Sequence, residues 1–407
     1  MTRKRSTPPR VLMLLENSGF PMDVRVRQEA QTLRDAGYQV TVVCPAEPGQ
    51  VSREVVDGMK VYRYPAPRAG SGFASYLWEY GYSMAATLLK SAQILFRDGF
   101  DVIHLANPPD TFVLIAAPFK LLGKRLIYDH HDLSPEMYYA RFGGKGNRLV
   151  YQALVLMEKL SCRLADHVIA TNESYKAIEI NRGGVPPHRI TVVRNGPDLE
   201  RLRPVEPDPE LRPRGKTVIA YAGVMGFQDG VDYLLRALHQ LAYRLGRSDF
   251  HCVLIGGKGD AQPSLKRLAS QLGLDPYVRF TGWVSDSDYV RLLSAADICA
   301  DPDPSNPFND RSTMNKMMEY MAMGKPIVAF DLPEHRFTAQ EAALFVRPND
   351  ELEFARALAA LMDDPQRRDA MGAFGRRRIE TELAWPYSAK KLLNAYTRVL
   401  LEPPEAR

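Results

Sequence analysis

The sequence predicts an α/β protein made of two doubly wound domains with parallel sheets. Short apolar segments of strand length alternate with amphipathic helices from one end of the chain to the other, the pattern that parallel sheets produce. This pattern stops at a proline-rich segment, residues 205–213, and then starts again. The 407 residues are enough for two domains of ordinary size. In such domains ligands bind at the carboxyl ends of the strands, and each loop discussed below follows a predicted strand.

The first half of the chain begins with a buried strand predicted at Val11–Leu15. Asp23 is a good N-cap for the helix that follows, and Gly37 is placed to end it. Further strands of this half are predicted at Val40–Cys44, Asp101–Leu105, Arg125–Tyr128, His167–Ala170 and Ile190–Val193. We therefore assign residues 1–208 to an N-terminal domain.

The second half begins after Val205–Pro213, where closely spaced prolines exclude regular structure and indicate a linker. We assign residues 214–384 to a C-terminal domain and residues 385–407 to a terminal segment with a helix from about Trp385 to Leu401. Strands of the C-terminal domain are predicted at Val218–Ala222, Cys252–Ile255, Val278–Thr281, Ile298–Ala300 and Ile327–Phe330.

Composition favours a cytoplasmic enzyme. The net charge of +5 is mild, so we expect no nucleic-acid partner. The four cysteines are far apart and lack metal-ligand spacing, which indicates reduced thiols. No apolar run is long enough to span a membrane. Four cations in the arm Thr2–Arg10 leave two alternatives, a solubilising tail or contact with anionic lipid at the inner face of a membrane.

The segment that ends at Tyr320 is predicted to be a helix whose start binds an anion. Ser312 and Thr313 are good N-caps, and Gly324 stands where a helix-ending glycine belongs. Lys316 lies in the first turn, where a cation is unfavourable unless a phosphate group is bound there. Glu319 follows on the same face and would accept hydrogen bonds from the two hydroxyls of a ribose. The alternative is an ion pair on a solvated helix.

This segment, together with Tyr128–Leu133 and Val193–Asp198, resembles the retaining glycosyltransferases of family four, the group 1 glycosyltransferases, along nearly the whole chain. The motif of that family has two glutamates separated by seven residues, then a helix that ends in Gly-Lys-Pro before a strand. Glu319 matches the second glutamate, which binds the donor ribose in the family. The first glutamate position falls on Arg311, so half of the motif is kept.

The resemblance implies the GT-B fold, in which two Rossmann-like domains face each other across a central crevice and the last helix crosses back to the first domain. It implies a retaining hexosyl- or N-acetylhexosaminyltransferase that moves a sugar from a nucleotide-diphosphate sugar to an acceptor hydroxyl. Neither a metal nor another cofactor is expected. Polysaccharide, lipid-linked and small-molecule acceptors are all compatible with the sequence.

His131 is the candidate catalytic residue on the acceptor side, beside Lys316 and Glu319 on the nucleotide side. It follows a buried strand in a polar turn, and by resemblance this position holds the histidine near the sugar. Neighbouring strand residues face opposite ways, so either His130 or His131 can point inward. The alignment of Asp132 with an acidic residue of the family favours His131. The alternative is a histidine on the surface.

The remaining substrate-binding candidates lie in loops. Gly19 would let backbone approach the diphosphate, although a tight turn explains this glycine equally well. The loop Gly223–Gly230, which contains Gly226, resembles a family loop that carries an Arg and a Lys for the diphosphate. Val224 and Asp229 stand at those two positions. The phosphate-binding charge should therefore come from Lys316 and Arg311, with Arg25 and Arg194 as weaker options.

Backbone around the helix start and near the base completes the predicted site. Residues 309–315 precede or open the helix and would surround the phosphate, which adds Asn309, Met314 and Asn315 to Arg311, Ser312 and Thr313. By resemblance, backbone near Val284 meets the nucleotide base.

Three further features receive weaker interpretations. Gly256–Asp260 lacks the spacing of a phosphate-binding loop and is interpreted as a flexible turn near the nucleoside. Asp301-Pro302-Asp303 resembles the D-x-D metal motif of other glycosyltransferases, but we expect no metal there. The aromatic cluster of Phe73, Tyr76, Trp78, Tyr80 and Tyr82 is predicted to serve packing, with an acceptor groove or a membrane-facing groove as the alternative.

Two other functions are compatible with the sequence. A nucleotide-sugar epimerase on the same fold would interconvert the free donor without an acceptor. A non-catalytic subunit that binds a nucleotide sugar would fit the loss of the first motif glutamate and of the loop cations.

Overall fold

The computed structural model describes residues 8–66, 73–141, 144–257 and 261–401, without the side chains of residues 73–77. The chain divides into two compact units. The N-terminal unit comprises Met1–Tyr139, Lys145–Asn195 and Ser388–Arg407, and the C-terminal unit comprises Ala140–Gly144 and Gly196–Tyr387. The division falls before the proline-rich segment because Leu202 already packs in the core of the C-terminal unit.

The N-terminal unit is built on an eight-stranded sheet in the order β3-β4-β2-β1-β5-β6-β7-β8. All neighbouring strands pair in parallel except β3 and β4. The strands are β1 (Arg10–Leu14), β2 (Gln39–Ala46), β3 (Arg53–Val56), β4 (Met59–Pro65), β5 (Val102–Ala106), β6 (Arg125–His130), β7 (His167–Ala170) and β8 (Ile190–Val192).

The helices of this unit connect the parallel strands. They are α1 (Val24–Asp35), α2 (Phe73–Arg97), α3 (Phe112–Leu121), α4 (Ser134–Arg141), α5 (Arg148–Leu164) and α6 (Glu173–Asn181). Asp23 caps α1 as predicted, since its carboxylate accepts a hydrogen bond from the amide of Val26 at 2.9 Å.

The C-terminal unit contains a six-stranded, wholly parallel sheet in the order β11-β10-β9-β12-β13-β14. Its strands are β9 (Thr217–Gly223), β10 (Phe250–Gly256), β11 (Val278–Gly282), β12 (Ile298–Asp301), β13 (Ile327–Phe330) and β14 (Ala343–Val346). This order reverses direction between β9 and β12, the point at which doubly wound sheets bind ligands outside their carboxyl edge. The predicted α/β class with two doubly wound parallel sheets is confirmed.

Helices flank this second sheet. They are α7 (Val231–His239), α8 (Gln262–Gln271), α9 (Asp286–Ala295), α10 (Asn315–Ala322), α11 (Pro333–Ala339), α12 (Glu351–Asp363) and α13 (Pro365–Arg378). The last helix, α14 (Trp385–Leu401), has the predicted bounds, and its residues from Ser388 onward belong to the N-terminal unit. None of the described helices is both long and apolar enough to cross a membrane.

The strands that the sequence predicts are all present, with bounds that differ by at most two residues from the predicted ones. The sequence analysis missed the antiparallel pair β3–β4 and the edge strand β14. The turn between β3 and β4 is formed by Asp57 and Gly58, both with positive φ. An Asp-Gly pair between short β-branched segments is a recognisable hairpin signal, so this strand pair could have been predicted.

Candidate functional site

Helix α10 of the C-terminal unit starts later than predicted. It begins at Asn315 with Met314 as N-cap, and neither Ser312 nor Thr313 caps it. Residues Asn309–Arg311 form a short 3-10 turn instead, and the Ser312 hydroxyl donates back to the carbonyl of Phe308 at 2.9 Å. The predicted N-caps are therefore wrong, because a local turn uses the serine.

The predicted burial of α10 and its end at Gly324 are confirmed. Met317, Met318 and Tyr320 are completely buried, which rules out a solvated helix. Gly324 has φ +66° and ends the helix, as predicted for a residue that must adopt the left-handed conformation. Both Lys316 and Glu319 are thus held on a rigid element beside the carboxyl edge of the sheet.

Lys316 lies in a cluster of acidic side chains. Its Nζ is 2.6 Å from Asp303 Oδ2 and 3.5 Å from Asp301 Oδ1, and it lies 5.3 Å from the ring centre of Tyr221. Burial alone would lower the pKa of Lys316, but the acidic groups around it, with Asp303 first and Asp301 among the others, together hold that pKa well above its usual value. The ammonium is therefore charged, and part of its charge is already balanced within the protein.

The two aspartates of this cluster titrate in opposite directions. Burial raises the pKa of Asp303 well above its usual range. Burial also raises the pKa of Asp301, but the Lys316 ammonium and the neighbouring His335 and Asp303 together lower it below its usual value.

Asp301, Asp303 and His335 place three potential metal ligands within 4.8 Å of one another. Such a donor set suits a divalent cation in chemical terms. The Lys316 ammonium, however, contacts both carboxylates and supplies positive charge at this point. A metal ion would have to displace it.

Glu319 is engaged on both carboxylate oxygens. Arg201 donates to Oε1 at 2.5 Å, and the Tyr289 hydroxyl donates to Oε2. Arg201 also pairs with Asp286 at 3.1 Å. Glu319 is partly exposed, so two hydroxyls of a ligand could reach it beside these donors or in place of one of them.

The loop after β9 and the loop after β12 approach each other closely. A Cβ on Gly230 would lie 2.0 Å from the carbonyl oxygen of Pro302, and Gly230 has φ +63°. Asn309 is fully buried and donates to the carbonyls of Gln228 and Pro304 at 2.9 and 2.8 Å. Asn309 therefore fastens the two loops together, which is a structural role the sequence analysis did not foresee.

Two residues of the loop after β9, Val224 and Asp229, stand where the family described in the sequence analysis has cations, and they have other roles here. Asp229 accepts a hydrogen bond from the amide of Gly226 at 2.7 Å and so shapes the loop. Val224 is exposed. Gly226 needs no side chain for this turn, and a Cβ there would lie 2.6 Å from the side chain of Gln228.

Arg311 and Thr313 lie on the approach to α10. The Arg311 guanidinium donates to the carbonyl of Pro307 at 2.5 Å, and the residue is partly exposed. Thr313 donates to Glu334 at 3.3 Å. Val284 follows β11, is partly buried and packs against the core beside Tyr289.

In the N-terminal unit, His131 follows β6 and is held at its backbone and its ring. The Asn107 side chain accepts hydrogen bonds from the amides of His131 and Asp132 at 2.7 and 3.0 Å. His131 Nδ1 lies 2.9 Å from Asp129 Oδ2. This contact places the Nδ1 proton toward Asp129 and leaves Nε2 as the atom that is available to a ligand.

Asp129 is the centre of a buried charge network. Arg25 donates to its two oxygens at 2.8 and 2.5 Å. Burial raises the pKa of a carboxyl, but Arg25 and His131 outweigh burial and hold the pKa of Asp129 well below its usual range. The negative charge of Asp129 in turn raises the pKa of His131 against the effect of burial.

His104 extends this network toward the last helix. Its Nε2 lies 3.3 Å from Glu29 Oε2 and 3.9 Å from Asp129 Oδ2, and its Nδ1 lies 2.8 Å from the hydroxyl of Tyr396 on α14. Burial opposes a charged imidazole, yet the carboxylates of Asp129 and Glu29 raise the pKa of His104 to about 9. His104 is therefore a buried cation at neutral pH.

His130 belongs to a different cluster from His131. It is completely buried, with Nδ1 3.2 Å from Glu179 and Nε2 3.6 Å from Glu158. Burial disfavours its charge, but these two carboxylates raise the pKa of His130 to about 9. His130 is therefore part of the protein interior, whereas the ring of His131 is partly exposed.

Two N-terminal candidates for phosphate contact have structural roles. Arg25 is buried and binds Asp129, Glu29 and the carbonyl of Val193, so it cannot serve as a free cation. A Cβ on Gly19 would lie 2.9 Å from Cγ of Glu47, so close packing explains this glycine.

Several residues of these sites were missed by sequence reasoning. Asp129 and Asn107 end neighbouring strands and hold His131, while Arg201 and Tyr289 hold Glu319. The position of Asp129 at the end of a buried strand was a usable signal. Nothing in the local sequence connects Arg201 with Glu319, which lies 118 residues away.

Two weaker predictions fall partly outside the described residues. Of Gly256–Asp260, only Gly256 and Gly257 are described, and both have positive φ. The side chains of Phe73 and Tyr76 lie outside the described part, while Tyr82 packs against Tyr64 and Trp78 is exposed. The N-terminal arm before residue 8 is also outside it.

Comparison with known families gives two matches, one in each half of the chain. A family described as glycosyl transferase 4-like domain matches residues 22–196. A family described as glycosyl transferases group 1 matches residues 216–364. The two matched regions contain every candidate residue discussed above except Gly19.

Known proteins resemble the chain at modest identity. The D-inositol 3-phosphate glycosyltransferase of Corynebacterium kroppenstedtii is 28% identical over 256 residues, which cover 60% of this chain and 55% of that relative. The chain thus spans little more than half of that relative's length. The MMP alpha-(1->4)-mannosyltransferase of Mycolicibacterium hassiacum is 26% identical over 404 residues, which cover 93% and 94% of the two chains.

Among solved structures, Anabaena Alr3699/HepE in complex with UDP-glucose shares the fold. The TM-score is 0.73 at 16% sequence identity, and the match covers 95% of this chain and 99% of that one. At this identity the likeness concerns the fold alone.

Proposed function

The chain belongs to the group 1 glycosyltransferases and has their GT-B fold, and from that premise we propose that it transfers a hexosyl or N-acetylhexosaminyl group from a nucleotide-diphosphate sugar to an acceptor hydroxyl. The observation that carries this proposal is the placement of Glu319 on a buried helix beside the switch point of the second sheet. That is where a doubly wound domain binds a nucleotide.

The C-terminal unit holds the nucleotide in this proposal. Glu319 accepts hydrogen bonds from the ribose hydroxyls, with Tyr289 and Arg201 fixing its orientation. The amides of Met314 and Asn315 and the Lys316 ammonium stabilise the diphosphate, on which negative charge grows as the sugar departs. UDP-glucose bound to a protein of the same fold is consistent with a donor of this class.

In the N-terminal unit, His131 acts on the transferred sugar. Asp129 orients its ring, and the amides of His131 and Asp132 are fixed by Asn107. We propose transfer with retention of configuration by displacement on the same face of the sugar.

We also propose that the reaction needs no metal ion. The Lys316 ammonium supplies a fixed positive charge between Asp301 and Asp303. A lysine in this position performs the charge stabilisation that a D-x-D-bound metal provides elsewhere.

The acceptor is proposed to be a polysaccharide, a lipid-linked glycan or a small phosphorylated molecule. Two relatives have names that specify an inositol phosphate glycosyltransferase and a mannosyltransferase. We propose a cytoplasmic protein with peripheral contact at the inner face of a membrane.

A thermal-unfolding screen with UDP, GDP and TDP tests the nucleotide site. At saturating concentration one diphosphate should raise the unfolding temperature, because a ligand that binds only the folded state stabilises it. In Glu319→Ala the affinity for that diphosphate should fall by about 1.5–3 kcal/mol, the range for hydrogen bonds to a charged group. Titration calorimetry measures the difference.

Asp286→Ala is the matched control for Glu319→Ala. It removes the other carboxylate that Arg201 contacts but leaves Glu319 in place, so its affinity should equal that of the wild type. The assignment of Glu319 is refuted if both variants lose the same affinity. Absence of stabilisation by any of the three diphosphates would contradict the proposed function as a whole.

Arg311→Ala tests whether Arg311, at the position of the first motif glutamate, supplies the phosphate-binding charge that Val224 and Asp229 lack. Because Arg311 is partly exposed and precedes α10, its contribution to diphosphate affinity should be about 1 kcal/mol, or a five-fold change, at low salt. The effect should shrink as salt is added and screens the charge. Arg347→Ala, which removes an exposed arginine of the same unit, is the control. Unaltered affinity and turnover in Arg311→Ala at low ionic strength would show that the charge has not moved there.

A further inference from the structure

Three neighbouring helices of the N-terminal unit expose large apolar side chains on their outer surfaces. Helix α2 packs beside α3, and α3 packs beside α5. Phe96 on α2 and Leu121 on α3 are 88% and 90% exposed, close to the value for an isolated side chain. The exposed large apolar residues of the three helices are Trp78, Tyr80, Leu88, Leu89, Phe96, Leu114, Leu121, Leu149, Leu156 and Leu160.

The spacing of these residues makes a stripe on each helix. Trp78, Leu89 and Phe96 recur at helical intervals along α2, with the exposed Ala85 between them. Leu149, Leu156 and Leu160 do the same along α5. Exposed apolar residues that occur singly are ordinary, whereas stripes on adjacent helices form an extended patch that marks an interaction surface.

The charges on these helices are mostly positive. The three helices carry the cations Lys90, Arg97, Lys120, Arg148, Lys159 and Arg163 and only two acidic residues, Glu79 and Glu158. Glu158 is completely buried, so it does not offset the cations at the surface. Lys120 pairs with Asp166, while the other five cations form no salt bridge with any described residue. Arg163 continues the exposed stripe of α5 beyond Leu160.

An apolar pocket adjoins the stripe of α2. Its volume is about 390 Å³, and it lies between this helix and the end of β4. The pocket is lined by Tyr64, Pro65, Tyr82, Ala85, Leu89 and Lys90, among others. Leu89 and Lys90 therefore belong both to the pocket and to the exposed face.

We propose that the outer face of α2, α3 and α5 docks the protein on an anionic lipid bilayer. The apolar stripes would enter the headgroup region, and the long cationic side chains would reach the lipid phosphates. This inference rests on the membrane contact in the proposed function. It adds which face of the protein makes that contact and that the lipid is anionic.

Charge complementarity selects the bilayer over a second copy of the chain. A symmetric dimer formed through this face would bring the unpaired cations of both copies together, which is unfavourable. An anionic membrane neutralises them. The apolar stripe alone would not distinguish the two partners.

Sedimentation with vesicles of phosphatidylcholine alone, or of phosphatidylcholine mixed with phosphatidylserine, tests the proposal. The full chain should bind the anionic vesicles much more strongly than the neutral ones. Lys90→Ala combined with Arg97→Ala should lower the partition coefficient on anionic vesicles by about 30-fold, since each cation near the surface contributes about one kilocalorie per mole. Phe96→Ser combined with Leu121→Ser should lower binding to both vesicle types.

Matched variants test whether vesicle binding depends on this face or on the overall charge and hydrophobicity of the protein. Arg27→Ala combined with Lys391→Ala removes the same two charges from α1 and α14 and should bind like the wild type. Val55→Ser removes an exposed apolar residue of β3 and should also have no effect. The proposal fails if the wild type does not bind anionic vesicles. It also fails if the two double variants that remove cations lose the same affinity for them. It also fails if Phe96→Ser with Leu121→Ser abolishes a dimer in analytical ultracentrifugation without changing vesicle binding. Nucleotide-induced stabilisation, measured on each variant, checks folding and tests the proposed function separately.

Discussion

Replacing His131 by alanine should lower turnover by about 10²–10³-fold and leave the affinity for the nucleoside diphosphate at the wild-type value. The magnitude is that of removing one preorganised hydrogen-bond donor from a reaction centre. The selectivity follows from the structure, because His131 lies in the N-terminal unit at the end of β6, whereas the residues proposed to hold the nucleotide lie in the C-terminal unit. Steady-state kinetics and calorimetry on the same preparation measure the two quantities.

His130→Gln is the control for this experiment. His130 is buried between Glu179 and Glu158, so its loss should weaken folding but should not change the turnover of the folded molecules. If His130→Gln folds and is inactive while His131→Ala remains active, the wrong histidine has been assigned. Asp129 is a positioning residue in this scheme, since it fixes the proton on Nδ1 of His131.

Much of the fold could be predicted because the sheets are parallel and buried. Strands such as His167–Ala170 and Ile327–Phe330 have the predicted bounds, since all four residues of each are buried and apolar side chains dominate them. The boundary between the two units was harder to predict from the sequence than the strands were. Residues 196–204 look like a continuation of the first half, and only tertiary contacts, such as the packing of Leu202 and the ion pair of Arg201 with Glu319, assign them to the second unit.

The candidate site was less predictable than the fold, and Lys316 shows why. A lysine in a first helical turn indicated a bound phosphate, because the helix dipole disfavours a cation there. The structure shows acidic side chains beside this lysine, namely Asp301 at the end of β12 and Asp303 in the loop that follows. Local sequence shows that a cation needs compensation but not where the compensation comes from. The same holds for Glu319, whose partner Arg201 is distant in sequence.

The buried charges around Asp129 have a consequence for stability that the sequence could not reveal. His104 lies on β5, Glu29 on α1 and Asp129 on β6, and none is exposed. Because the pKa of His104 rises to about 9 on folding, from an ordinary value of 6.5, folding takes up a proton between these values. The stabilisation is complete below pH 6.5 and is lost as the pH rises through 9.

His104→Gln should therefore destabilise the N-terminal unit by about 3–5 kcal/mol near pH 6, the cost of removing one partner from a buried ion cluster. The difference from the wild type should shrink as the pH rises from 6.5 to 9, because the wild-type imidazole then loses its proton as well. His130 titrates over the same range in both proteins, so its contribution cancels in the difference. Native-state hydrogen exchange at the amides of β5 measures this free energy, with β9 of the C-terminal unit as internal reference.

His167→Gln is a control with the opposite electrostatics. His167 is also buried on a strand of the same sheet, but burial and the nearby Arg398 lower its pKa to about 4. It is neutral above pH 6.5 in both the folded and the unfolded chain, so any effect of His167→Gln should be independent of pH between 6.5 and 9. A pH-independent loss in His104→Gln, or the same slope in both variants, would show that His104 is not the buried cation. With the expected result, the shrinking difference would identify the His104 imidazolium as one of the cations that stabilise the charged Asp129, beside Arg25, and hence as part of the support for His131.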